Sequence, residues 1–199
     1  MARGIRLPSC NSMDSILTVS PEVCLRPLRP HEAGALYSLV ERNRAHLRQW
    51  LPWVDATKSP ADSRKFLEMS YAAALQGSSL TFGIRFKGQL AGAIGFHGFD
   101  RMNRVTSLGY WLGREYCGMG TMRQSVARCT EYAFKDRDMN RLYIRCATEN
   151  ERSQRIPKSL GFTREGIQRE AEWLYTRFVD LKIYSMLAAE WSYPQALSG

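Results

Sequence analysis

The sequence predicts a single α/β domain, a mixed β-sheet with helices on its faces. Three observations carry that prediction. The chain has 199 residues, 44% of them hydrophobic and 11% aromatic, the size and composition of one globular core. Two helix-period segments come early and are followed by three strand-period segments with no helix between them, which need antiparallel hairpins. The second half alternates helix and strand, which needs parallel crossovers.

Taken in order, residues 23–28 ("VCLRPL") alternate apolar and polar as a half-buried strand does. Residues 30–46 open on proline and an acidic residue and keep helical apolar spacing, which predicts one helix. "LRQWLPWVD" (47–55) carries two tryptophans and a proline and reads as an aromatic loop. A second helix is expected over 61–76. Strands at 79–86 and 89–99 are joined by a turn carrying Gly88, and a third strand spans 104–112. Helix 119–135, strand 141–147, helix 151–160 and closing strands 162–169 and 174–187 complete the order β-α-α-β-β-β-α-β-α-β-β. Residues 1–22 read as a partly ordered tail, 23–192 as the domain and 193–199 as a C-terminal tail. Met13 is an alternative start.

Composition excludes several classes. No apolar run reaches the roughly 18 residues of a membrane span, and the N-terminus lacks the apolar stretch of a signal peptide. Five cysteines, an odd number with no C-x-x-C pair, and three scattered histidines argue against a disulfide framework or metal site and for a reducing compartment. The net charge of +9 attracts polyanions without choosing among nucleic acid, ribosome and phosphorylated cofactor.

The most informative stretch is "GYWLGREYCGMGTMRQ" (109–124), where an aromatic strand meets a glycine-punctuated turn and then an amphipathic helix. A dinucleotide fingerprint fails because position 123 is Arg rather than Gly, and a Walker loop fails because Met119 stands where Lys is required. Both motifs share a physical core: glycine-relieved amides at a helix N-terminus that bind an anion such as a pyrophosphate. By itself the stretch fits equally a tight strand-to-helix connection without a ligand.

Downstream context resolves the ambiguity. "LRQWLPW" (47–53), "NRVTSLGYWLGREYCGMGTM" (103–122), "NRLYIRCATENERSQRIPKSLGF" (140–162) and "GIQREAEWLYTRFVDLKIYSML" (166–187) occur in an order that resembles the GNAT family of acetyl-CoA-dependent N-acetyltransferases, in particular its RimJ/RimL-type branch, which acetylates the N-termini of ribosomal proteins. The similarity runs from about residue 23 to 192. It implies a seven-stranded mixed sheet whose fourth and fifth strands splay apart to admit the pantetheine arm of acetyl-CoA. That arm would pair with backbone near Tyr110, Trp111 and Leu112. The pyrophosphate loop would be Cys117, Gly118, Met119, Gly120, Thr121 and Met122, with Cys117 replacing the usual Gln or Arg and Arg123 a candidate for the lost charge. Residues 141–169 hold seven Lys/Arg against three Glu, an excess that fits the cofactor's phosphates or, equally, a solvated face.

Acyl transfer from a thioester to an amine needs a proton acceptor, an oxyanion donor and stabilisation of the thiolate. No histidine falls within these motifs, so direct attack in a ternary complex is preferred to a covalent route. The resemblance places Asn150 on the pantetheine arm and Ser153 near the sulfur as donor to the thiolate; Asn150 also suits a helix N-cap. Many family members carry a Glu on the fourth strand where this chain has Ser107. The resemblance therefore moves the proton acceptor to Glu172, next to Trp173 and near Glu170. It places Trp50 and Trp53 over the acceptor, with Ser107 and Glu172 also on the acceptor side. Cys117 is read as a bystander rather than a nucleophile.

The resulting expectation is a cytoplasmic N-acetyltransferase with acetyl-CoA as donor and no metal. The acceptor is expected to be a protein α-amine, first of all a ribosomal protein's. No membrane or specific nucleic-acid partner is expected, and homodimerisation is left open. A small-molecule amine (a polyamine, an antibiotic or an aminoacyl-nucleotide toxin) and a non-catalytic acyl-CoA- or RNA-binding role are the alternatives.

Overall fold

The computed structural model describes residues 16–193. Eight strands form one mixed sheet in the order β1-β2-β3-β4-β5-β6-β8-β7. They are β1 (Leu17–Thr18), β2 (Val23–Pro27), β3 (Leu80–Phe86), β4 (Gln89–Asp100), β5 (Val105–Leu112), β6 (Arg141–Ala147), β7 (Thr163–Leu174) and β8 (Arg177–Leu187). Every neighbouring pair is antiparallel except β5 and β6, joined by the crossover helix α4 (Thr121–Lys135). No helix of the described residues is long and apolar enough to cross a membrane.

The sheet has one more strand than the expected seven. The addition is β1, two residues that pair with Leu25 and Cys24 and lie in the segment expected to be a tail. Leu17 and Val19 are buried, and their contact with the core pins this piece. Residues 1–15 of that tail, and residues 194–199 of the C-terminal one, lie outside the described residues.

Both faces of the sheet are covered. On one, α4 and α5 (Glu151–Ser159) pack against Ile94, Phe96, Leu108, Leu142, Ile144 and Tyr184. On the other, α1 (Ala33–Arg42) and α3 (Pro60–Leu75) pack Leu36, Leu39 and Leu67 against Leu90 and Ala93. Helix α3 starts where sequence chemistry says it should. Pro60 occupies the first helical position, and Ser59 and Asp62 close a reciprocal capping box.

The helix expected over 30–46 is instead broken at Asn43 into α1 and the short α2 (Arg44–Leu47). Asn43 donates its amide to the Leu39 carbonyl at 3.1 Å and accepts the Arg114 backbone N–H at 2.8 Å. The side chain thus competes with the helix for backbone partners and joins the break to the loop after β5. Helix α4 begins at Thr121 rather than 119, because Gly118 and Gly120 are in left-handed conformation. β7 extends to Leu174, beyond the expected 169, so Glu172 lies in a strand rather than in a connection.

Gly92 marks the tightest packing between strands. A Cβ there would sit 2.2 Å from the Trp111 carbonyl oxygen and 2.9 Å from Leu112 Cα. Gly92→Ala must push β5 away from β4 and is expected to cost about 2 kcal/mol or more in thermal or denaturant unfolding. Gly166→Ala, with nothing within 4 Å of the added atom, is expected to stay within roughly 0.5 kcal/mol of the parent.

Candidate active site

β5 and β6 pair for only three residues, Val105–Ser107 against Arg141–Tyr143. Beyond them the strands part. The divergence begins opposite a β-bulge: the β4–β5 register jumps between Phe96 and Phe99, facing Thr106–Leu108. A bulge adds local twist, which carries β5 away from β6 at this point. The freed edges border a cleft of about 390 Å³. Its walls include Tyr110, Trp111 and Leu112 of β5, the loop and first turn of α4, and Asn150, Ser153 and Ile156 at the start of α5. His46, Leu47, Trp50 and Leu51 close one side.

One end of the cleft is built for an anion. Gly118 and Gly120 have φ of +87° and +75°, so glycine here supplies conformation. A Cβ on Gly118 would meet nothing within 4 Å. Gly120 is the N-cap of α4, no side chain caps the helix, and its first turn holds no acidic residue. The hydroxyl of Thr121 is buried in this wall without a hydrogen-bond partner. An orphaned donor beside uncapped helix amides fits a pyrophosphate oxygen. Arg123, Arg152 and Arg155 line the same cleft, and the fields of Arg152 and Arg114, after burial, hold His46 below the usual histidine range.

The middle of the cleft holds a small hydroxyl–thiol network. Ser153 is in the first turn of α5, and its backbone N–H is capped by Asn150 Oδ1 at 3.1 Å. Its Oγ lies 3.2 Å from Cys146 Sγ and 3.4 Å from the Tyr110 hydroxyl, which donates to the Ser153 carbonyl at 3.1 Å. Burial raises the Tyr110 hydroxyl well above its ordinary value and also raises the Cys146 thiol. Both groups stay protonated at neutral pH, able to donate but not to attack. Asn150 is therefore an N-cap and also a cleft residue. Cys117 lines the cleft too, with Sγ 3.5 Å from the Gly113 carbonyl.

Of the remaining expected residues, Trp50 belongs to the cleft wall, whereas Trp53, Ser107 and Glu172 lie outside its lining. Trp53 stacks at 5.9 Å on Trp111. Trp50 packs against Ala147, Leu174, Val179 and Leu181, and the Tyr175 hydroxyl donates to the Leu51 carbonyl at 2.6 Å. The tryptophan loop is thereby latched to the β7–β8 hairpin. Ser107 is buried, with its hydroxyl directed at the His97 carbonyl at 3.5 Å. Glu172 pairs in register with Val179 and is half-buried. Burial raises its carboxyl, and Arg145 of β6 partly opposes that shift. Glu170 is exposed with φ +48°, its backbone N–H bound to Asp180.

Sequence reasoning missed Tyr110 as a hydroxyl partner of Ser153, because strand periodicity assigns it only to packing. It also missed Gln154, which is 1% exposed. The Gln154 amide donates to the Ala147 and Thr148 carbonyls at 3.0 and 2.9 Å, and its oxygen accepts from Lys182 at 2.9 Å and Tyr184 at 3.3 Å. It thus fixes the end of β6 against α5 and holds the far wall of the cleft.

A sheet opened between two central strands, with an anion-ready helix start at the opening, is the architecture of an acyl-CoA-dependent transferase. Residues 22–163 match the family model described as the acetyltransferase (GNAT) domain, and the chain belongs to that family. Curated relatives agree. YdaF of Bacillus subtilis (strain 168), whose name gives ribosomal N-acetylation as a provisional assignment, is 31% identical over 87% of this chain and 95% of its own. The ribosomal-protein-serine acetyltransferase of Escherichia coli (strain K12) is 26% identical over 88% and 98%. Among solved structures, the ribosomal L7/L12 α-N-protein acetyltransferase RimL in complex with coenzyme A superposes with TM-score 0.84 at 28% identity, covering 87% of this chain and 98% of that one. The microcin C7 self-immunity acetyltransferase MccE, in complex with acetyl-CoA and AMP, gives 0.81 at 28%, over 86% and 98%.

Gln154→Ala leaves two carbonyls, an ammonium and a tyrosine hydroxyl short of a partner. It is expected to cost about 2–3 kcal/mol in denaturant unfolding, whereas Ser159→Ala, at an exposed hydroxyl of the same helix, stays within roughly 0.5 kcal/mol.

Proposed function

We propose that the protein transfers the acetyl group of acetyl-CoA to the α-amine of a protein N-terminus, with a ribosomal protein as the substrate class, by direct attack in a ternary complex. The observation that carries this reading is the parting of β5 from β6 beside the uncapped start of α4. It offers unpaired strand backbone for a pantetheine arm and amides, with the Thr121 hydroxyl, for a pyrophosphate. Gly118–Met122 with Cys117 hold the phosphates, Tyr110–Leu112 present backbone to the arm, and Asn150 contacts it from α5. The names of YdaF and RimL support a ribosomal acceptor, and such an acceptor puts the enzyme in the cytoplasm.

The chemistry follows from the residues on each side of β5. The acceptor enters from the side of Trp50, Trp53 and Glu172, with Ser107 in the floor. The ammonium gives a proton to the Glu172 carboxylate, whose burial raises its affinity for that proton. The freed nitrogen attacks the thioester carbonyl carbon, an N–C bond forms, the C–S bond breaks, and the second proton shed by the nitrogen passes to the departing sulfur, leaving the amide and the CoA thiol. The thiolate leaves toward Ser153, whose hydroxyl donates to it while Tyr110 and Cys146 hold that hydroxyl in place. The likeness to MccE favours a second acceptor class, small amines carrying a nucleotide.

Titration calorimetry with acetyl-CoA, using desulfo-CoA and ATP as controls, tests the donor site, and a panel of N-terminal peptides against small amines tests the acceptor. Acetyl-CoA is expected to bind well ahead of ATP; equal or absent binding overturns the reading. Ser153→Ala is expected to lower kcat by about 10-fold or more with little change in acetyl-CoA affinity, because it acts on the leaving group. Glu172→Gln is expected to lower kcat/KM by at least about 100-fold near neutral pH. A carboxylate acts as proton acceptor only when ionised, so the parent rate falls as pH drops through the raised Glu172 value. The variant loses that part of the pH dependence.

A further inference from the structure

His97 takes no part in the chemistry above, yet it stands at the point where donor and acceptor sides meet. It lies in the β4 bulge, between Phe96, which pairs with Leu108, and Phe99, which pairs with Thr106. The bulge is held by bonds from β5: the Thr106 hydroxyl donates to the Gly98 carbonyl at 2.6 Å and the Ser107 hydroxyl to the His97 carbonyl at 3.5 Å. Gly98 takes φ +83°, open to glycine at low cost. Bulges of this kind re-aim a side chain. Here the imidazole is turned across onto β5 and lies directly on Gly109. A Cβ on Gly109 would come within 2.3 Å of His97 Nε2. The absence of a side chain at 109 is what lets the ring occupy that place.

The next residue along β5 is Tyr110, whose hydroxyl meets Ser153 in the donor cleft. Side chains alternate along a strand, so His97 on Gly109 and Tyr110 with Ser153 lie on opposite sides of one stretch of backbone. That stretch is where the strand has lost its β6 partner. The imidazole keeps access to solvent and has no hydrogen-bond partner among the described residues. Arg145 of β6 is the charged group whose field reaches it, and Arg145 also acts on Glu172 of β7. Tyr143 of β6 and Ser107 of β5 share that face of the sheet. His97 is an exposed residue, but desolvation on the side of the ring against β5 and then Arg145 lower it from the ordinary histidine range, which favours the neutral form with a free acceptor nitrogen.

Resting on the function proposed above, we infer that His97 is a further catalytic residue: its imidazole accepts a hydrogen bond from the attacking amine and aims the nitrogen lone pair at the thioester, while Glu172 takes the amine's proton. An ammonium has three N–H bonds; one is given up to Glu172 and another is held by His97, so no proton is counted twice. A protonated His97 would be a donor that repels the ammonium.

The test is steady-state kinetics with an N-terminal peptide that the parent enzyme acetylates, run from acid to neutral pH on His97→Ala, His97→Gln, Gly109→Ala and the double variant, with acetyl-CoA affinity measured in parallel. His97→Ala is expected to lower peptide kcat/KM by roughly 10- to 100-fold, with the Kd for acetyl-CoA within about twofold of the parent. His97→Gln, which keeps an acceptor oxygen but does not titrate, is expected to recover most of that loss. The acid-side slope of log kcat/KM against pH should become shallower by one unit. Gly109→Ala displaces the ring and should match His97→Ala, and the double variant should be no worse than either. Parent-like activity of His97→Ala overturns the inference, as does full activity of Gly109→Ala. Equal loss in His97→Ala and His97→Gln with an unchanged slope assigns His97 a structural role and also overturns it. A parent enzyme that binds no acetyl-CoA or acetylates no amine defeats the function proposed above instead, so the two failures are distinguishable.

Discussion

The end of pairing between β5 and β6 after Ser107 and Tyr143 is the constraint on which the rest of the site depends. A parallel pair in the middle of a sheet normally continues for the length of its strands, because unpaired backbone amides and carbonyls are costly away from water. This sheet abandons that pairing for the second half of β5 and so leaves a built-in edge in its interior. Three devices hold the edge open. The bulge in β4 twists β5 away. Gly92 lets β4 and β5 approach closely on the other side. Gln154 ties the end of β6 to α5 and β8.

The same opening divides the chemistry. Hydroxyl and thiol donors, Tyr110, Cys146 and Ser153, collect in the cleft, where burial keeps them protonated. The titrating groups Glu172 and His97 collect on the other side, where burial pushes a carboxylate up and an imidazole down. Desolvation thus raises the carboxylate's affinity for a proton and disfavours protonation of the imidazole. Arg145 acts on both and limits the first shift while adding to the second.

The tryptophan loop is more than a cover. The break at Asn43 ends α1, fixes the loop after β5 through Arg114, and turns the chain into α2 and the tryptophan segment. Trp53 then rests on Trp111, and Trp50 and Leu51 are latched to the β7–β8 hairpin. One side-chain amide therefore connects the loop after β5 to the segment latched on the β7–β8 hairpin.

The sequence by itself determined the order of elements, the two helix faces and the glycine turn, because periodicity, capping and glycine conformation are local. Ser59 with Asp62 and Gly118 with Gly120 act within a few residues of themselves. The family was legible for the same reason: its motifs are short runs in fixed order. The break at Asn43 and the strand at Leu17 were not legible, since each depends on partners far along the chain, Arg114 in one case and Leu25 in the other. The placement of Glu172 in a strand and of His97 on Gly109 likewise needed the tertiary structure. A strand-period pattern gives which face a side chain takes, but bulges reset that register, and both residues follow or lie in one. No local signal in "GFHGFD" tells that its histidine is turned onto a glycine on the neighbouring strand, since only the paired sheet brings them together.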